Sequence, residues 1–264
     1  MYKFIDTTET NTQSSRLPSE ALFINGKAIE DEVQGYRTLT VSGRELIGQE
    51  LDTVRKNSGD GSIYLNKTYP PRTITVQYEL KATDNEDYRF KFERLNQLLN
   101  QEQMEIRFND DYEYHYKGSL SDVGELPTGS NTVIGSFSLF CSDPFKYKNK
   151  QVLKGQSVEL IFDDTYKTKP SRITAIPNTN TPSVTIKSGT HEIKLVQGSY
   201  TAGERLVFDF EGNKIYSEKN YDEEMAMKKL TLDSDFPDFY MRSGQPIEFV
   251  GSGTLEVEFK QVML

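Results

Sequence analysis

The sequence predicts a mainly β protein with one helix of any length. Its first half is β-rich with that helix, and its second half is all β. Three observations carry this. The stretch RTITVQYELKA, residues 72–82, alternates apolar and polar side chains without a break. A helical stripe at steps of four, three and four follows within residues 84–100. Beyond residue 150, short β-type runs are separated by Gly, Pro, Asn and Asp.

In 72–82, Ile74, Val76, Tyr78, Leu80 and Ala82 alternate with Thr73, Thr75, Gln77, Glu79 and Lys81. A period of two gives a strand with one dry and one wet face. Pro70 and Pro71 make its entry stiff. Thr83 and Glu86 have the spacing of a capping box, in which each side chain satisfies a free amide of the first turn. Tyr88, Phe92, Leu95 and Leu99, with Leu98 beside them, form one apolar stripe. Arg89, Lys91, Glu93, Arg94 and Gln97 fill the other face, so the stripe packs on the neighbouring strand. MEIRF and YEYHYKGSL then form a hairpin around the turn residues NDD. In its second arm Tyr112, Tyr114 and Tyr116 alternate with Glu113, His115 and Lys117, which leaves His115 in solvent. LPTGSN turns into the next strand, TVIGSFSLFC, residues 132–141.

The stretch CSDPFKYKNK reads as a joint between domains. Asp143-Pro144 stops the preceding strand, Phe145 and Tyr147 cap a core edge, and Lys146, Lys148 and Lys150 stay wet. This predicts domains at 1–145 and 146–264. In the second, VELIF, SRITAI, PSVTIK, HEIKLV, RLVFDF, NKIYS, PIEFV and TLEVEFKQV are short strands at regular spacing, the signature of a β-sandwich. EEMAMKKL, residues 223–230, fits a helical turn or a strand equally well.

Composition excludes several function classes. Hydrophobic residues make up only 35%, yet there are 15 Tyr and 15 Phe, so rings supply much of the core. A net charge of −9 without a basic face argues against wrapping DNA. The single cysteine, Cys141, rules out an intrachain disulfide and sits in an apolar run as a buried, inert thiol. MYKFIDTTET lacks the plan of a signal peptide, and no apolar stretch reaches the ~20 residues of a membrane span, so synthesis in the cytoplasm is expected. Catalysis has no constellation to rest on. His115 and His191 fall in different domains, and no P-loop, dinucleotide fingerprint or nucleophile elbow occurs. The pairs Asp110-Asp111, Asp163-Asp164 and Glu223-Glu224 are adjacent acids, which do not supply opposed carboxylates. The expected catalytic, cofactor and metal residues are therefore none, and binding interfaces cannot be read from one chain.

The order of features is more specific than any one of them. GYRTLTVSGRELIG leads through a polar excursion with SGDGS to YPPRTITVQYEL. A capped helix carries FERLNQLLN, the tyrosine hairpin is followed by FSLFCSDPFKY, and the chain closes with LDSDFPDFYMRSGQPIEFVGSGTLEVEF. Over nearly its whole length this resembles the distal tail proteins of non-contractile long-tailed bacteriophages and prophages of Gram-positive hosts. The chain departs from the common form at Gly244-Gln245-Pro246, where relatives often read Gly-x-Asn. The resemblance implies a β-sandwich or split-barrel first domain with one helix, and a galectin-like second domain. It implies a homo-hexameric ring in the virion tail tip through which DNA passes. The implied partners are the tail tube protein, a tail-associated fibre or lysin protein, and receptor-binding proteins.

Two expectations follow from that ring. The strand 72–82 is read as an edge suited to pairing between subunits. The excursion at 48–69 is too long for an inert loop in a compact domain and is expected to form an arm or hairpin that contacts a neighbouring subunit. Six chains at −9 carry 6 × −9 = −54, so such interfaces need local charge complementarity. The competing reading is a stand-alone carbohydrate-binding sandwich, monomeric, with a glycan site built from exposed tyrosines of the second domain.

Overall fold

A computed structural model describes residues 17–127, 129–160, 167–219 and 227–264. The chain is mainly β and divides into two compact units, the first ending at Lys146 and the second spanning Tyr147–Met263.

The first unit opens with β1 (Leu22–Ile24) and β2 (Lys27–Ala28), followed by a short helix α1 (Ile29–Glu32) and β3 (Tyr36–Ser42). Then come β4 (Glu50–Arg55), β5 (Ser62–Thr68), β6 (Arg72–Lys81), α2 (Asn85–Leu99), β7 (Met104–Phe108), β8 (Tyr114–Val123) and β9 (Thr132–Cys141). Seven of these strands form an antiparallel path in the order β2-β1-β7-β8-β9-β6-β3. The period-two pattern of β6 is fully expressed: Ile74, Val76 and Leu80 are 0–2% exposed with Tyr78 among them, facing Val133, Phe137, Leu139 and Cys141 of β9. Helix α2 lays Leu95, Leu98 and Leu99 into the same core, with Tyr88 and Phe92 packed at its margin. Tyr78 stacks on Tyr36 with centroids 5.3 Å apart, so rings do supply much of this interior.

Four expectations need correction. Strand β6 is not an edge, because it lies between β9 and β3, and β3 ends the path. A strand's place in a sheet depends on long-range partners that its own alternation does not encode. The cap of α2 is Asp84, whose carboxylate accepts from the amides of Glu86 and Asp87 at 2.9 Å each. The reciprocal bond comes from Asp87, which accepts the Thr83 amide at 2.8 Å, so the box sits one residue later than Thr83–Glu86 implies. His115 is buried, with Arg107 Nη2 at 3.5 Å from its Nδ1. It is covered because Arg107, 7% exposed, folds across that side of the hairpin, donating to Glu105 and to the Tyr112 carbonyl. Lys146 is drawn down from solvent by Asp111 and by the Tyr114 ring, 4.8 Å away.

In the joint, β9 ends at Cys141 and the Asp143 carboxylate accepts the Phe145 amide at 3.1 Å, closing the turn. A short strand β10 (Lys146–Lys148) follows. The second unit contains β11 (Gln151–Gly155), β12 (Ser157–Val158), β13 (Pro170–Pro177), β14 (Val184–Ser188), β15 (His191–Leu195), β16 (Leu206–Asp209), β17 (Lys214–Ser217), β18 (Ile247–Phe249), β19 (Gly253–Phe259) and β20 (Val262–Met263). All but β20, which pairs with β10, form a five-stranded sheet, β11-β19-β13-β16-β17, and a four-stranded sheet, β12-β18-β14-β15. Ile173, Phe208, Ile215 and Val257 from the first sheet share one core with Ile186, Ile193, Leu195 and Ile247 from the second, which makes this unit a sandwich. Asp163-Asp164, Glu223-Glu224 and the start of EEMAMKKL lie outside the described residues.

Candidate assembly interface

The excursion at 48–69 is an antiparallel pair standing alone. Among the described residues, strands β4 and β5 pair only with each other, and every residue in both is exposed. Register places Val54 opposite Ile63 and Thr53 opposite Tyr64, with Leu51 opposite Lys67. A shift between Asp52 and Thr53 leaves Leu65 as an extra, bulged residue. Directly opposed residues share a face, and neighbours along a strand alternate. Val54 and Ile63 therefore lie on one face of the hairpin, and Leu51 and Tyr64 on the other. All four, with Leu65, are 49–59% exposed. Such an arm has no dry side. A lone two-stranded hairpin is marginal in water, and this one carries apolar pairs on both faces.

The arm's root, by contrast, is rigid. Arg72, the first residue of β6, is 3% exposed. It donates from Nη1 to the Gly43 carbonyl at 2.9 Å and from Nε to the Pro144 carbonyl at 3.0 Å, and it lies over the Tyr116 ring. One guanidinium so ties the strand that enters the arm, the strand that leaves it and the end of the unit. Gly43 has φ +89°, and a Cβ there would sit 2.1 Å from the Thr73 carbonyl oxygen, so only glycine permits this approach. Next to it, Arg44 makes a bidentate pair with Asp110 at 2.7 and 2.9 Å, reaches Glu20 at 2.9 Å and covers the Phe108 ring. Tyr69, at the other root, packs edge-on against Phe145, with centroids 5.8 Å apart.

Charge separates the arm from the rest. Glu50, Asp52 and Asp60 balance Arg55, Lys56 and Lys67, so the arm is neutral in a chain of −9. A neutral, apolar-sided projection avoids the repulsion that an acidic surface would meet in a copy of itself.

No catalytic arrangement emerges among the described residues. Among the described residues no group of three or more His, Cys, Asp or Glu side chains is placed to hold a metal ion. Asp110 and Asp111 are occupied by Arg44 and Lys146. His115 and His191 lie in separate units. Cys141 is buried, and desolvation pushes its thiol up to about 11, so it is not a nucleophile at neutral pH. No helix among the described residues is long and apolar enough to cross a membrane. The sequence located the arm but not its root: Arg72 falls on the dry parity of β6, and a basic residue there was the available signal.

Both units match known families. The Phage tail protein RIFT-related domain matches residues 31–141, and the Siphovirus-type tail component, C-terminal domain, matches residues 164–262. The fold is similar to that of the Dit protein of phage SPP1, described as a paradigm of the hub adsorption apparatus in phages infecting Gram-positive hosts. The TM-score is 0.73 at 17% identity, over 92% of this chain and 99% of that one. A chain of the phage P2 baseplate in its calcium-activated conformation matches with a TM-score of 0.44 at 12% identity, over 86% of this chain and 90% of that one. No curated protein sequence matches. Two tail domains in this order define a siphovirus-type tail component. The chain belongs to the siphovirus distal tail protein family.

Proposed function

We propose that six copies of the chain close into a ring at the tail tip, with the β4–β5 arm of each gripping the next. The ring joins the tail tube to the tail-associated fibre or lysin protein, carries receptor-binding proteins and lets DNA pass. The chain is made in the host cytoplasm and has no catalytic step of its own. The observation that supports this reading is the arm: apolar on both faces, neutral, unsupported by its own unit and mounted on a rigid root. Each half-exposed aliphatic residue gains on the order of 1 kcal/mol when a neighbour covers it, and a head-to-tail contact repeated around a closed ring compounds that gain.

The stand-alone glycan binder finds less support. In the second unit Tyr200 is buried, and Tyr240 is half-buried, with Lys167 and Arg242 over its ring. Light scattering at two concentrations, with negative-stain images, decides between the readings. Six copies of the 30.2 kDa chain give about 181 kDa and an annular particle. A monomer at every concentration contradicts the ring.

A further inference from the structure

Strand β3 ends the sheet path of the first unit and, among the described residues, pairs only with β6. The amides on its outer side would ordinarily be free to bond an added strand. Here each has an acceptor. The Tyr36 amide donates to the Val33 carbonyl at 3.0 Å. The Thr38 amide donates to Glu30 Oε1 at 2.9 Å, and the Val41 amide to Glu20 Oε2 at 3.1 Å. Just past the strand, the Gly43 amide donates to Glu45 Oε2 at 2.9 Å. The irregularity between Thr38 and Thr40 accounts for the step of three in this series, because one extra residue shifts the parity of the outward amides. The three carboxylates come from different places: Glu20 precedes β1, Glu30 lies in α1 and Glu45 follows β3. Glu20 is itself fixed by Arg44.

We propose that Glu20, Glu30 and Glu45 are a clamp that closes the β3 edge, so that copies of this chain do not add to one another by extending the sheet. The chemistry is direct. A carboxylate accepts an amide more strongly than a neutral carbonyl does, so an incoming strand has to displace charge-assisted bonds with neutral ones. The incoming strand would also bring its own carbonyls against three negative groups. A protein presented in many copies needs such closure, because strand addition at an open edge does not terminate and yields fibres in place of rings. Copies then meet through surfaces other than this edge, an inference that rests on the ring reading given above.

The experiment compares the wild-type chain with Glu20→Ala/Glu30→Ala/Glu45→Ala and with the matching triple Gln variant, all checked for native circular dichroism. Two quantities are read: amide hydrogen exchange at Thr38, Val41 and Gly43, and solution mass over a hundredfold range of concentration. Slow exchange at all three amides is expected in the wild type. In the Ala variant exchange rises at least tenfold and mass grows with concentration without a plateau. The Gln variant keeps an acceptor oxygen and falls between the two. The single variant Glu45→Ala removes no partner of Arg44, which pairs with Glu20 and Asp110; it exposes Gly43 alone and reports on the clamp if the triple variant fails to fold. Fast exchange in the wild type overturns the proposal, as does an Ala variant whose mass stays constant. Loss of the ring reading alone would appear differently, as a wild-type chain that is monomeric yet protected at these amides.

Discussion

Strands β5 and β6 are neighbours in sequence and both are rich in β-branched and aromatic residues, yet their fates differ. In β6 alternate side chains reach 0–2% exposure against β9 and α2. In β5 Ile63, Tyr64 and Leu65 each keep about half their surface in water, and among the described residues no other strand than β4 pairs with it. Local propensity makes both of them strands. What separates them is whether a second layer takes the apolar side, and for β5 the proposed ring would supply that layer from a neighbouring copy. The same chemistry builds a core in one place and leaves an exposed apolar surface in the other.

The comparison breaks most sharply if the arm is removed. Replacing residues 49–68 by a short Gly-Ser turn is expected to abolish the ring while leaving the melting temperature of the isolated chain within a few degrees, since the arm buries nothing in its own unit. Light scattering and calorimetry on the same sample read both quantities. The converse substitution, Ile74→Ala in β6, removes a fully buried side chain and should cost about 2–5 kcal/mol in denaturant unfolding. Ile63→Ala on the arm should cost less than about 0.5 kcal/mol in the same assay and should instead weaken assembly.

The root gives the next largest effect. Arg72→Ala leaves the Gly43 and Pro144 carbonyls without their donor, and about 1–3 kcal/mol of stability should go with it. Arg72→Lys recovers part of that, because an ammonium serves one carbonyl well and two poorly. The smallest effect lies far from the arm. Glu256 is held down to about 2 by hydrogen bonds from Arg205 at 2.9 Å and Lys154 at 2.7 Å. Its ordinary value is 4.5, so its pKa is lower in the folded chain than in the unfolded one. The stabilisation is therefore complete above about pH 4.5 and is lost as pH falls from there through 2. The pair is on the surface, so the loss should stay below about 1 kcal/mol, read as a difference between wild type and Glu256→Gln in acid melts.

Much of this was legible before any coordinates. Alternation in 72–82 gave β6 its buried face, because a period of two maps directly onto the pleat. The stripe from Tyr88 to Leu99 gave α2 for the same kind of reason. The arm was legible as an excess of polar chain between two strands that needed only a short link. What failed depends on partners distant in sequence. The burial of His115 follows from Arg107 folding back across it, and β6 is interior because β3 returns to pair along it. The clamp on β3 was invisible for the same reason: Glu20, Glu30 and Glu45 read as ordinary surface acids until the fold lines them up along one edge. The cap at Asp84 was missed narrowly, since Thr83 and Asp84 are both good capping residues and only geometry chooses between them.

The central claim is that the arm finds its second layer in a neighbouring copy. Amide hydrogen exchange across 50–68, on the assembled particle and on a charge-blocked Leu51→Asp/Ile63→Asp chain, tests it most directly. The account predicts strong protection of β4 and β5 in the particle and fast exchange in the blocked chain, which should remain monomeric. Equal, fast exchange in both, or a blocked chain that still assembles, would contradict it.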